Sequence, residues 1–166
     1  DDRALESVIF ADSGFLQALP ENAVHVSMAT ISEAMGRRLT AAHAAADRAY
    51  VSAPVFGRPD AASAGKLFIV AAGSVAALNL CEPAFAVMGQ RTFVVGEEPV
   101  AANVVKITGN FMLASTIETL GEAFALARKY GIDAGELLEL LTSTLFSAPV
   151  YKNYGGRVCA DDAGLK

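Results

Sequence analysis

The chain has 166 residues, is 53% hydrophobic, and carries 18 Asp and Glu against 13 Lys and Arg for a net charge of -5. That apolar content suffices for one substantial core or for parts of two domains, and the acidic balance, with no basic stripe, argues against nucleic acid as a partner. The longest uncharged run, Leu67 to Cys81, is shorter than the roughly 18 apolar residues of a membrane span and contains Gly73, Ser74 and Asn79, so no membrane association is expected. Cys81 and Cys159 fit no metal-ligand spacing and read as reduced thiols of a cytoplasmic protein.

Taken in order, Asp2 is placed to cap a short helix through Phe10, ended by a turn at Asp12, Ser13 and Gly14. Phe15 to Leu19 predicts one more helical turn, stopped by Pro20. A strand is expected over Ala23 to Met28, then a helix from Glu33 to Ala46 capped by Ser32. A second strand over Ala49 to Val55, a loop from Phe56 to Asp60 and a helical turn from Ala61 to Gly65 follow. Lys66 to Ala72 reads as a strand buried on both faces. Ser74 caps a helix through about Met88, and Thr92 to Val95 is the last strand. Strands alternating with helices predict an α/β sheet layered by helices.

After Gly96 the pattern is helical. Apolar residues from Val104 to Phe124 recur on more than one face, which predicts a long helix with little solvent exposure, ended at Tyr130 by Gly131 in a left-handed conformation. Asp133 and Glu136 predict a capping box for the next helix, and Ser147 to Arg157, with Pro149, Gly155 and Gly156, predicts a loop. The expected division is 1–96 and 97–166. His25 and His43 have no metal spacing and read as satisfied or solvated histidines. On the long helix, Lys106 and Asn110 share a face, and no carboxylate lies three or four residues from Lys106. Such a lysine either snorkels to water or, desolvated in a cleft, has its pKa lowered towards use as a general acid or base.

Lys106 and Asn110, after a strand ending Phe93, Val94, Val95, Gly96, resemble the catalytic segment of the β-hydroxyacid dehydrogenase family. This family includes 3-hydroxyisobutyrate dehydrogenase and glyoxylate and succinic semialdehyde reductases, with 6-phosphogluconate dehydrogenase and imine reductases as relatives. A second segment, Ala53, Pro54, Val55, Gly57, Ala61, Ala62, Gly65, Leu67 and Gly73, is similar to the family's substrate loop and the strand after it. The resemblance implies an incomplete Rossmann-like sheet, the second half of a dinucleotide-binding domain, followed by the start of an all-α domain. It implies NAD or NADP as cofactor and a small hydroxyacid, aldehyde or ketoacid as substrate. Lys106 is then the general acid/base, Asn110, Phe56, Gly57 and Arg58 substrate-binding residues, and Thr30, in the turn Ala29, Thr30, Ile31, a cofactor-binding residue. A homodimer or tetramer built on the long helix is the expected state.

Several positions depart from the family's motifs. Ser52, Phe56 and Arg58 stand where the substrate loop has aspartate, serine and glycine, and Val100 and Ala102 stand where two glycines precede the lysine, where their side chains are expected to crowd the substrate. Arg58 offers a guanidinium in place of the lost donors. No G-x-G-x-x-G turn occurs, so the pyrophosphate loop is expected before Asp1, and Lys166 is a weak candidate for a further lysine of the family's site. Tyr151, Lys152 and Tyr154 resemble a loop at the cleft mouth. Imine reduction on the same scaffold and a noncatalytic oligomerising piece are the alternatives.

Overall fold

A computed structural model describes residues 1–11 and 14–160. The turn expected at Asp12 and Ser13 and the role considered for Lys166 lie outside the described residues. Contacts divide the chain into two compact units, Asp1–Thr108 and Gly109–Lys166.

The first unit holds α1 (Asp2–Ile9), α2 (Phe15–Ala18), β1 (Val24–Ser27), α3 (Glu33–Ala45), β2 (Ala49–Ser52), β3 (Val55–Phe56), α4 (Pro59–Ser63), β4 (Leu67–Ala72), α5 (Val75–Met88), β5 (Gly89–Gly96) and the first turns of α6 (Val100–Lys129). Strands β1 and β2 are parallel, as are β4 and β5, but the two pairs run oppositely, joined by Ser52 against Ala72. Strands β2 and β3 lie in one continuous antiparallel register along β4, with Pro54 between them. Pro54 has no N–H for the strand expected through Val55, so β2 stops at Ser52, the Pro54 carbonyl accepts from the Val70 N–H at 2.9 Å, and Val55–Phe56 continues in the same direction along β4. Pro59 at the start of α4 places that helix two residues earlier than expected.

Successive side chains on the strands serve opposite layers. Val51, Ile69 and Ala71 pack on Ala77, Cys81 and Phe85 of α5, whereas Tyr50 joins Ile9, Met35 and Leu39, and Val70 and Ala72 meet Ala102 of α6. The expectation that β4 is buried throughout fails at Phe68, which is 41% exposed. Ser32 caps α3 through the Met35 N–H and Ser74 caps α5 through the Ala77 N–H. Asp1, not Asp2, caps α1; the Asp2 carboxylate accepts instead from the backbone and hydroxyl of Ser32, tying the two helix starts together. Those bonds hold Asp2 below the usual carboxylate range. His25 and His43 are both buried and bonded to each other, so they are satisfied rather than solvated.

The second unit contains the rest of α6, α7 (Ala134–Ser143) and α8 (Pro149–Cys159). Gly131 is left-handed at φ 73°, and Asp133 caps α7 by accepting from Gly135 and Glu136. The loop expected over Ser147 to Arg157 is helix. Pro149 is its first residue, where a missing N–H costs nothing, and Gly155 is where α8 meets Leu138, whose Cδ1 would stand 2.5 Å from an added Cβ. Tyr151 and Tyr154 accordingly pack with Leu120, Phe124 and Ala134 instead of forming a loop.

Helix α6 is far more exposed than expected: Phe111 is 70%, Met112 63% and Leu126 60% exposed. Among the described residues it alone is long and apolar enough to cross a membrane. Uncharged runs in the sequence do not reveal this, because Lys106, Glu118 and Glu122 interrupt the helix.

Candidate active site

The chain leaves β2 through Ala53 and Pro54, both fully buried, at the carboxyl end of the parallel pair β1–β2. Pairing of Phe56 with Phe68 fixes the next two residues on β4. Gly57 then takes φ 144°, and a Cβ there would lie 2.7 Å from Leu67 Cδ2, so the bend requires glycine. This bend faces the start of α6, where Ala101 and Ala102 pack with Val70, Ala72 and Phe56.

One turn further along α6, Lys106 carries its Nζ 4.2 Å from the centroid of the Phe56 ring. The position, over the ring face, is that of a cation–π contact. Among the described residues the ion pairs are Arg37 with Glu33 and Arg38 with Glu6, so no carboxylate neutralises Lys106. Burial pushes its pKa below the ordinary lysine value. The ring face favours the ammonium, whereas burial disfavours it. Phe56 also borders an apolar hollow of about 470 Å³ lined by Phe68, Val70, Phe93, Val95 and Val105.

Of the other expected site residues, Arg58 stands immediately before α4 with an exposed side chain and enters no ion pair among the described residues. Thr30 is exposed in the turn between β1 and α3, again at the carboxyl end of the parallel pair, and since Ser32 caps α3, Thr30 is free of that structural duty. Asn110 lies one turn beyond Lys106 on α6, half-buried, in the second unit. The structure therefore brings Lys106 together with Phe56 and the Gly57 bend.

Val100 and Ala102 do not crowd this space as expected. Ala102 is fully buried against Val70 and Ala72, and a Val100 methyl stands near Gly36 of α3. One residue escaped the sequence reading altogether. Asn103, 1% exposed, accepts a hydrogen bond from the Ser52 hydroxyl at 3.0 Å. A single asparagine among apolar helix residues gives no sequence signal of such a bond across 51 residues.

Residues 1–96 match the family model described as the NAD binding domain of 6-phosphogluconate dehydrogenase. The chain is 43% identical over 155 residues to the uncharacterized oxidoreductase YfjR of Bacillus subtilis (strain 168), an alignment covering 93% of this chain and 54% of that protein. It is 30% identical over 155 residues to glyoxylate/succinic semialdehyde reductase 1 of Arabidopsis thaliana, covering 93% and 53% of the two chains. The crystal structure of 3-hydroxyisobutyrate dehydrogenase from Salmonella typhimurium superposes with a TM-score of 0.85 at 24% identity, covering 97% of this chain and 56% of that one. The chain thus spans about half the length of the curated relatives it matches. With 97% of the chain matched in the solved structure, α6 is accounted for as an element of a dehydrogenase fold.

Proposed function

From the premise that this chain belongs to the β-hydroxyacid dehydrogenase family, with its NAD-binding domain over residues 1–96, we propose that it is the central portion of an NAD(P)-dependent oxidoreductase acting on a small hydroxyacid or the corresponding aldehyde or ketoacid. The observation that carries the reading is the Lys106 ammonium, partly desolvated, without a carboxylate partner among the described residues and held over Phe56 beside the Gly57 bend. A bound nicotinamide would supply or take up the hydride. Lys106 as ammonium hands a proton to the substrate oxygen in reduction and, deprotonated, takes it back in oxidation.

The residues present fit the nicotinamide end of such a cofactor. Exposed Thr30 and the Pro54 to Gly57 bend both follow the carboxyl ends of the parallel pair, the crevice where open α/β sheets bind ligands. Thr30 is proposed to touch the cofactor, and Phe56, Gly57, Arg58 and Asn110 the substrate, Arg58 by pairing with a carboxylate. The boundary at 96 separates the dinucleotide-binding part from the helical part. Exposed Phe111, Met112 and Leu126 on α6 support a homodimer or tetramer, and the cytoplasm is the proposed compartment. Imine reduction is the second reading, favoured by Phe56 in place of a hydroxyl donor and by the apolar hollow beside it.

The test uses the protein extended upstream of Asp1. Titration with NADPH and NADH should show binding that Lys106→Met leaves unchanged, while that variant lowers kcat by about 10²–10⁴-fold on the best of glyoxylate, succinic semialdehyde, 3-hydroxyisobutyrate and cyclic imines. Binding without any loss of turnover in the variant would overturn the role of Lys106. Failure to bind either dinucleotide would favour a noncatalytic, oligomerising protein.

A further inference from the structure

Helix α6 begins against the sheet on alanines. Ala101 and Ala102 face Val70, Ala72 and Phe56, and contacts among such small apolar groups are non-directional, leaving the rotation of the helix poorly fixed. One directional contact stands among them. Asn103 Oδ1 accepts from Ser52 Oγ at 3.0 Å, both side chains being almost wholly buried. The third member is Gly36 of α3, where a Cβ would come within 2.9 Å of the same oxygen. Three elements, α3, β2 and α6, therefore converge on one amide oxygen.

The other end of that amide has no match. Asn103 Nδ2 is buried with no hydrogen-bond partner among the described residues. An unpaired buried donor weakens a fold, whereas a leucine of similar size would carry no polar cost. The asparagine is explained by what its oxygen fixes, and one turn along the helix from it stands Lys106. A buried polar contact that sets register at a cost in stability is a known use of such groups.

We propose that Asn103 is a positioning residue: gripped by Ser52 and seated against Gly36, it sets the rotation of α6 that lays the Lys106 ammonium over Phe56. Losing the grip lets the first turns of α6 roll on their alanines and swings Nζ off the ring into water. The catalytic consequence rests on Lys106 being the acid/base; the placement of the ammonium does not.

The experiment follows the titration of Lys106 by NMR in the full protein labelled at lysine Cε, with the resonance assigned through Lys106→Arg. In the parent protein Lys106 should titrate below the other lysines. Ser52→Ala and Asn103→Leu should each move it up towards them and lower kcat at least tenfold with little change in dinucleotide affinity. Phe85→Leu, which loosens the α5 side of the sheet, should lower Tm without moving Lys106. If Asn103→Leu does not fold, Ser52→Ala decides. A folded Ser52→Ala protein whose Lys106 titrates as in the parent overturns the proposal. A shifted titration with unchanged kcat upholds the positioning role and removes Lys106 from the chemistry instead.

Discussion

Acidification should destabilise the first unit through a buried pair of imidazoles. His43 Nδ1 lies 2.7 Å from the Leu39 carbonyl, which can only accept, so Nδ1 carries the proton and Nε2 is left as an acceptor. His25 Nδ1, 2.8 Å from that Nε2, must then be the donor. Both rings are neutral in this arrangement, and adding a proton to His43 Nε2 would set two N–H groups against each other. The rings lie among Phe15 and Tyr50, with centroid distances of 4.6 to 5.2 Å, and neither makes an ion pair among the described residues. Burial, and secondarily the neighbouring His43, lower the His25 pKa from 6.5 to about 4; burial also lowers that of His43.

Because the folded pKa of His25 is depressed, the unfolded chain binds more protons between the two values. The stability is complete above pH 6.5 and is lost as pH falls towards 4. For His25 alone the loss is about 2 kcal/mol at pH 5 and about 3 kcal/mol at pH 4, against the ~5–15 kcal/mol typical of a domain. Urea unfolding at a series of pH values measures this slope. His25→Phe removes one titrating ring, costs about 1–3 kcal/mol at pH 7.5 by stranding the His43 acceptor, and should flatten the slope between pH 6.5 and 4.5. Equal slopes in variant and parent would refute the neutral, hydrogen-bonded pair.

Two further substitutions test the backbone that carries the site and the second unit. Gly57→Ala should cost about 1–3 kcal/mol, because φ 144° and the approach to Leu67 both reject a methyl; the fall in Tm should be accompanied by a change in the environment of Lys106, read from its NMR titration. Gly155→Ala should cost about 1–3 kcal/mol by overpacking against Leu138, measured as a lower unfolding midpoint of the helical unit with the first unit unaffected.

How much of the structure is legible in the sequence depends on how local each signal is. Ser32, Ser74 and Asp133 cap their helices as expected because a cap needs one side chain and the next turn. The alternation of Tyr50 with Val51, and of Ile69 with Val70, likewise comes from the strand period. The helix at Pro149 reads as loop in the sequence because Gly155 is set by a neighbour, Leu138, rather than by its own backbone. The exposure of Phe111 and Met112 is not legible, since an apolar face shows only that something can pack there. At the candidate site, Lys106 and the Pro54 to Gly57 bend stand out because each sits within its own short motif. Contact between Lys106 and Phe56, 50 positions apart in sequence, and the Ser52–Asn103 bond depend on how α6 lies on β4, which no local pattern specifies.

On the roles proposed above, Phe56 would tie recognition to proton transfer. Where the loop this segment resembles has a serine hydroxyl, this chain has a ring that offers no hydrogen-bond donor, yet that ring covers the ammonium of Lys106 and borders an apolar hollow. Its quadrupole favours the charged lysine while its bulk excludes the water that would stabilise the same charge. Burial lowers the Lys106 pKa below the ordinary lysine value. A serine at this position would restore the donor and open the lysine to water in the same step. On the roles proposed above, substrate choice and the proton affinity of Lys106 would both respond to this one side chain, which packs between the altered loop and the start of α6.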